Sequence, residues 1–241
     1  MTASRPHADP APMLFLHGGG VAGWMWQPVL AGLDDGARPI VPDLPGHGGP
    51  ADASAYSSHD ETVEGLARRL EVEDRPATVI GFSLGAQLAI LLASRRPDLV
   101  DRVIAISAQA VPLRHPGPLL ALLSSTAGLA RREWFARAQA RALFVPESLT
   151  GEYLRTSASL SRSTLISSVG ENVRFEPPAA WPDFPGEALL LVGEREKPLM
   201  RRSAERLRVL RPASGLEIVP GCGHGIPLQR PEWLARRIAR R

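Results

Sequence analysis

Apolar and polar positions along the chain change period several times, and the changes fall at Gly- and Pro-rich breaks. Short apolar runs at Met13 to Leu16, Pro39 to Pro42, Thr78 to Gly81, Val103 to Ile106, Ala188 to Val192 and Leu216 to Val219 have the length of buried strands. Between them lie stretches with helical spacing. His59 to Glu71 places Val63, Leu66, Ala67 and Leu70 on one face, and Leu84 to Arg96 turns Leu84, Leu88, Leu91 and Leu92 to one side. Arg201 to Leu210 and Pro231 to Arg240 read as two further helices. Strands and helices alternating through short connections predict an α/β fold, a mostly parallel sheet flanked by helices. From 109 to 182 the alternation stops. That stretch shows no clear strand, helical patches at Leu119 to Ala130, Glu133 to Leu143 and Glu152 to Ser161, and an exit rich in proline at Pro177, Pro178, Pro182 and Pro185. It reads as a helical insertion lying over the sheet, which divides the chain into a core (1–108 and 183–241) and an insertion (109–182).

The junction between the third strand and its helix carries Gly81-Phe82-Ser83-Leu84-Gly85. A serine on so tight a turn is held in a strained backbone conformation, and glycines flank it because a Cβ there would meet neighbouring backbone. The turn pushes the Ser83 hydroxyl out of the sheet, beside the unpaired N–H groups that open the next helix. A second glycine cluster, His17-Gly18-Gly19-Gly20, follows the first strand. Three glycines let the backbone approach a ligand and turn N–H groups inward, which suits an oxyanion hole. A plain turn is the bland alternative, and a dinucleotide loop fits the Gly18, Gly20, Gly23 spacing only loosely. Of Trp24 and Trp26, one is expected under this loop and the other toward a pocket. Asp43 to Gly48 makes a fixed turn in which His47 is structural. His7, His59 and His115 fall in segments expected to be exposed, and His17 reads as a brace for its loop. His224 remains, in a glycine-rich loop directly after a strand and C-terminal to candidate acids.

Composition adds little that is specific. Apolar residues at 44% and charged residues at 22% are ordinary for a soluble globular protein. The formal charge is +3, and of 28 basic residues only Lys197 is lysine, an arginine preference that fits a G+C-rich bacterial genome. The basic residues are dispersed, without a stripe interleaved with aromatics, so nucleic acid is not an expected partner. Cys222 stands alone and makes neither an intrachain disulfide nor a thiolate metal site. The start of the chain, polar and proline-rich to Pro12, lacks the apolar core of a secretory signal, and Pro116 to Ala130 is too short to span a bilayer. The expectation is a cytoplasmic protein, monomer or homodimer, with a small-molecule substrate and no membrane span, metal or cofactor.

Taken together, His17-Gly18-Gly19-Gly20, Asp43-Leu44-Pro45-Gly46-His47-Gly48, Gly81-Phe82-Ser83-Leu84-Gly85 and Gly221-Cys222-Gly223-His224 resemble, in the same order, the α/β-hydrolase superfamily, in its serine branch with a helical cap. The resemblance covers nearly the whole chain and is specific for fold and machinery rather than for substrate. It implies Ser83 as nucleophile and His224 as base, in the order nucleophile, acid, histidine. The acid of the family stands three residues after the glycine closing its strand; counted from Gly193 that is Glu196, with Glu194 the next candidate and Asp101 at the wrong edge of the sheet. The oxyanion hole would use the N–H groups of Leu84 and Gly19, with Gly20 beside them. The activity so implied is cleavage of a carboxylic ester, lactone or thioester of a small, largely apolar substrate through an acyl-enzyme. A serine nucleophile points away from the dehalogenase and epoxide-hydrolase branches, which use a carboxylate. Lyase, synthase and carbon–carbon hydrolase chemistry run on the same residues, and a non-catalytic receptor on the same fold stays open. Trp134, Phe135, Phe144, Tyr153 and the Pro116 to Ala130 patch are expected to line the pocket.

Overall fold

The computed structural model describes residues 10–48 and 54–240. The polar start of the chain as far as residue 9, with His7, lies outside them. In chain order the elements are β1 (Pro12–Leu16), α1 (Gln27–Leu30), β2 (Arg38–Ile40), α2 (His59–Leu70), β3 (Ala77–Phe82), α3 (Leu84–Arg95), β4 (Val100–Ile106), α4 (Gly117–Thr126), α5 (Glu133–Ala142), α6 (Thr150–Ser159), α7 (Arg162–Arg174), β5 (Glu187–Gly193), α8 (Pro198–Leu210), β6 (Gly215–Val219), α9 (Ile226–Gln229) and α10 (Pro231–Ala239). The strands form one sheet in the order β2-β1-β3-β4-β5-β6, parallel at every pairing. The chain winds outward from β1 to β2, then turns back and winds the other way from β3. That reversal opens a crevice at the carboxyl ends of β1 and β3, where open α/β sheets bind ligands.

Strand residues alternate between two apolar layers because successive side chains point to opposite faces. Leu14, Val79, Val103 and Leu190 join one layer, which α2, α3 and α8 cover; Phe15, Ile80, Ile104 and Leu189 join the other, with Val29 of α1 and Leu234 and Ile238 of α10. Both faces are therefore buried, which is why these strands read as continuous apolar runs rather than as alternating ones.

Helices α4 to α7 fall between β4 and β5, in the stretch read as an insertion. Of these, α7 is absent from the sequence reading. Its buried positions are Thr164, Ser168, Gly170 and Val173, so the face it packs is small and polar rather than an apolar stripe, and Ser161 caps it by accepting from the Thr164 N–H at 3.0 Å. The short helical segment from Gly23 to Leu30 was also unread. Trp26 is fully buried there, with its ring edge-on to Phe15. Trp24 lines no cavity that reaches Ser83; its Nε1–H donates to Thr156 Oγ1 of α6 at 3.0 Å. Among the described residues, no helix is long and apolar enough to cross a membrane.

His115 is exposed, but His59 is buried, against the expectation. Its ring stacks on Phe175, Nδ1 pairs with the Tyr56 hydroxyl at 2.9 Å and Nε2 with Gln87 Oε1 at 3.0 Å, while Glu171 of α7 accepts from its backbone N–H. His17 and His47 are buried as well. Burial, with the neighbouring His47, pushes His17 down to about 3, and burial lowers His47 and His59 from 6.5. Unfolding releases each to titrate at its ordinary value, so below pH 6.5 the unfolded chain binds more protons and stability falls as pH falls. At about pH 5 the His17 contribution alone approaches ~2 kcal/mol. Thermal midpoints measured between about pH 8 and pH 5 should hold level above 6.5 and decline steadily below it; a midpoint level down to pH 5 would show that these imidazoles titrate alike folded and unfolded.

Candidate active site

Ser83 joins β3 to α3 with φ 53° and ψ −111°, outside the ordinary regions for a residue with a side chain. Its N–H donates to the Ile106 carbonyl at 2.8 Å, and its carbonyl accepts from Ala86 and Gln87. A Cβ on Gly81 would collide with the backbone of Gly85, and one on Gly85 with the carbonyls of Leu16 and His17. Both glycines are thus required by the close approach of α3 to β3 and β1, and that packing holds the serine in its conformation.

His224 arrives from the loop after β6. Gly221 takes φ 71°, the Gly223 N–H donates to Gln229 Oε1 at 2.9 Å, and the Phe82 ring lies against the imidazole at 5.1 Å between centroids. His224 Nε2 lies 3.1 Å from Ser83 Oγ, and Nδ1 lies 2.8 Å from Glu196 Oε2. The histidine side chain is 38% exposed and the glutamate 1%. Of the two candidate acids, Glu196 is the one brought to His224. Glu194 is exposed and accepts from the Gly221 N–H at 2.8 Å, so it braces the histidine loop. Asp101 lies near the start of β4, where Thr78 Oγ1 faces it across the N-terminal end of the sheet.

The other oxygen of Glu196, Oε1, accepts from the Gly193 N–H at 2.9 Å and from Ser107 Oγ at 2.6 Å. Ser107 is a residue that sequence reasoning missed. It follows β4, is buried, and takes φ 55° while its N–H donates to the Leu191 carbonyl at 2.8 Å. The one local signal was its position, a serine directly after a buried strand at the same sheet edge as Ser83.

Gly19 and Leu84 flank Ser83 on a shared cavity wall, with Gly20 at φ 77° beside them. Their loop is fixed from behind: His17 Nδ1–H donates to the Gly18 carbonyl at 2.8 Å and Nε2 accepts from the Leu44 N–H at 2.9 Å. A Cβ on Gly18 would run into the Phe82 ring. Two cavities meet at Ser83. One of about 350 Å³ is bounded by Gly19, Leu84, Leu123, Phe135 and Tyr153; the other, of about 610 Å³, by His224, Leu119, Phe144 and Met200. Trp134, expected in the pocket, lines neither; it is 67% exposed.

An unprotonated Nε2 facing a serine hydroxyl can accept its proton, and a buried carboxylate at Nδ1 both selects that tautomer and balances the imidazolium formed. The chain is 34% identical over 125 residues to an esterase of Mycobacterium tuberculosis, an alignment covering 50% of this chain and 41% of that protein, so it spans less than half of this relative's length. It is 28% identical over 235 residues to a pimeloyl-[acyl-carrier protein] methyl ester esterase of Aromatoleum aromaticum, covering 94% of this chain and 85% of the relative. In structure it is similar to an esterase from Exiguobacterium antarcticum, with a TM-score of 0.81 at 18% identity over 96% of this chain and 91% of the other. Residues 13–237 match the model of the alpha/beta hydrolase family, and the chain belongs to that family.

Proposed function

We propose that the chain is a serine hydrolase that cleaves a carboxylic ester, lactone or thioester of a small, largely apolar substrate through an acyl-enzyme. The observation that carries this reading is the continuous line from Ser83 Oγ through His224 to the buried Glu196, at 3.1 and 2.8 Å, opening onto two cavities. Ser83 attacks the carbonyl carbon while His224 Nε2 takes its proton, and the oxyanion rests on the N–H groups of Gly19 and Leu84. Each such donor typically supplies ~2.7–4 kcal/mol of transition-state stabilisation. His224 then protonates the leaving atom, and water activated by the same nitrogen releases the acid. No step calls for a metal or organic cofactor. Residues 109–182 act as a cap, since Leu123, Phe135 and Tyr153 come from that segment while Ser83 and Leu84 come from the sheet side.

The test is intact-mass analysis of wild type, Ser83→Ala and His224→Ala after exposure to a fluorophosphonate, with hydrolysis of a short-chain p-nitrophenyl ester alongside. One adduct on wild type, none on Ser83→Ala and slow labelling of His224→Ala are expected, with matching loss of turnover. A folded wild type that neither labels nor hydrolyses would remove the acyl-enzyme and favour proton-shuttle chemistry at the same residues.

A further inference from the structure

We propose that the leaving group of the substrate carries an anion, and that Arg195 and Lys197 receive it in the larger cavity. This rests on the hydrolase reading above, gives the substrate a direction, keeps its apolar character for the acyl part, and puts a charge on the leaving part instead.

The direction follows from where the proton must go. In the tetrahedral intermediate the reacting carbon bears Ser83 Oγ, the oxyanion, the leaving heteroatom and the acyl chain. The proton that His224 took from Ser83 has to reach the leaving heteroatom, so that atom lies on the His224 side. His224 bounds the larger cavity and not the smaller, whereas Gly19 and Leu84 bound the smaller and not the larger. The leaving group therefore occupies the space of about 610 Å³ and the acyl chain that of about 350 Å³.

The two walls differ in charge. The smaller cavity has no ionisable Asp, Glu, His, Lys or Arg on its wall; its polar groups are hydroxyls and the amides of Gln139 and Asn172. The larger is apolar over Leu113, Leu119, Phe144 and Met200, and its charged groups are Glu196, Arg195 and Lys197, with His224. Glu196 is buried and both its oxygens are occupied. Arg195 and Lys197 are exposed, and neither makes a salt bridge among the described residues, whereas Arg38, Arg95, Arg96 and Arg237 do. Helix α8 starts at the same wall: Lys197 is its N-cap, Leu199 and Met200 bound the cavity, and its first turn holds no acidic residue. A helix start favours negative charge; the first turn supplies none, and the carboxylate just before the N-cap, Glu196, is taken up by Ser107, Gly193 and His224. The cavity thus presents two cations without a salt bridge among the described residues, and a helix start, to whatever departs from His224.

A carboxylate and a phosphate satisfy this site by the same chemistry. In the first step the Oγ–carbon bond forms, the bond from carbon to the leaving atom breaks, and that atom leaves with the Ser83 proton and its distant anion unchanged. Water then gives hydroxide to the acyl carbon, the Oγ–carbon bond breaks, and the water's other proton returns through His224 to Ser83 Oγ.

The experiment compares kcat/KM for butyryl substrates that differ in the leaving group, with one further pair that differs in the acyl group. Butyryl-coenzyme A is set against S-butyryl-N-acetylcysteamine for the phosphate arm, and 4-carboxyphenyl butyrate against its 4-carbamoylphenyl isostere for the carboxylate arm. Phenyl hydrogen succinate against phenyl butyrate moves the anion to the acyl side. We expect a preference of up to about tenfold for the anion on the leaving group, carried mainly by KM and weakened by salt, and none or a penalty on the acyl side. The arm with the greater preference identifies the anion. In Arg195→Ala/Lys197→Ala the preference should fall toward one, and in Lys197→Glu below one. Each is a ratio within a single variant, so partial loss of folded enzyme leaves it intact. Because Lys197 is the only lysine, amine acylation followed by mass analysis reads that site apart from the chain's amino terminus, and coenzyme A should protect it. A ratio near one in wild type, or one unmoved by both variants, overturns the inference while leaving the hydrolase reading standing. Folded enzyme that turns over none of these esters overturns both.

Discussion

Ser83→Gly is expected to abolish ester hydrolysis and at the same time raise the thermal midpoint. The serine sits at φ 53°, a conformation that costs roughly 1–3 kcal/mol for a residue with a Cβ and little for glycine. Against this, glycine loses more chain entropy on folding, which returns roughly 0.5–1 kcal/mol. The balance is stabilising, and at this chain length ~1 kcal/mol corresponds to roughly 2–4 °C. Ser83→Ala keeps the Cβ and the strain, so its midpoint should stay near that of wild type, and the gap between the two variants measures the strain itself. Both should lose about 10⁴-fold or more in kcat, leaving only what the oxyanion donors and binding supply. Differential scanning calorimetry with an ester assay checks both halves. An active Ser83→Ala would end the nucleophile reading, and a glycine variant melting below the alanine variant would show that the conformation is relaxed.

The parts of this molecule that were legible in the sequence are those set by local pattern. Strands buried on both faces appear as apolar runs, and helices α2 and α8 fall within a few residues of their expected bounds. The Ser83 turn was legible because its requirement for glycine is steric and local: Gly81 and Gly85 each face backbone that leaves no room for a Cβ. Glu196 was reached through the family resemblance, by counting from Gly193, and the short turn in which its N–H donates to the Gly193 carbonyl keeps that count. What stayed hidden depends on partners distant in the chain. His59 opens an amphipathic helix, yet Gln87, Phe175 and Glu171 bury it. Helix α7 has no apolar stripe because it packs through Thr, Ser and Gly. Trp134 looked like a pocket residue by type, but α5 buries Ala136 and Ala140 and turns the tryptophan outward. Ser107 meets Glu196 across 89 positions of sequence, and no local rule could pair them.

Glu196→Gln should reduce kcat by roughly 10³–10⁴ while leaving KM nearly unchanged, through the tautomer of His224 rather than through lost packing. Oε1 accepts from two donors, the Ser107 hydroxyl and the Gly193 N–H. In a glutamine of the same shape the carbonyl oxygen stays with those donors, which places the NH₂ against His224 Nδ1. That nitrogen must then accept, the ring proton moves to Nε2, and the atom facing Ser83 Oγ at 3.1 Å can no longer take its proton. Glu196→Asp is shorter by one methylene on a backbone held at Gly193, so it keeps either the pair of donors or His224 at full contact but not both. An intermediate loss of roughly 10–10² is expected from such a misplacement. Ser107→Ala leaves Oε1 with Gly193 alone. A lost hydrogen bond to a buried charge is worth about 1.5–3 kcal/mol, so kcat should drop on the order of tenfold or somewhat more, with KM held because Ser107 borders neither cavity. The coupling separates this account from plain destabilisation. If Ser107 acts by fixing the carboxylate that selects the His224 tautomer, Ser107→Ala should cost little further in the Glu196→Gln background. Additive losses across that double-mutant cycle would place Ser107 outside the line from Ser83 to Glu196, and a Glu196→Gln enzyme with near-normal kcat would remove the glutamate from it as well.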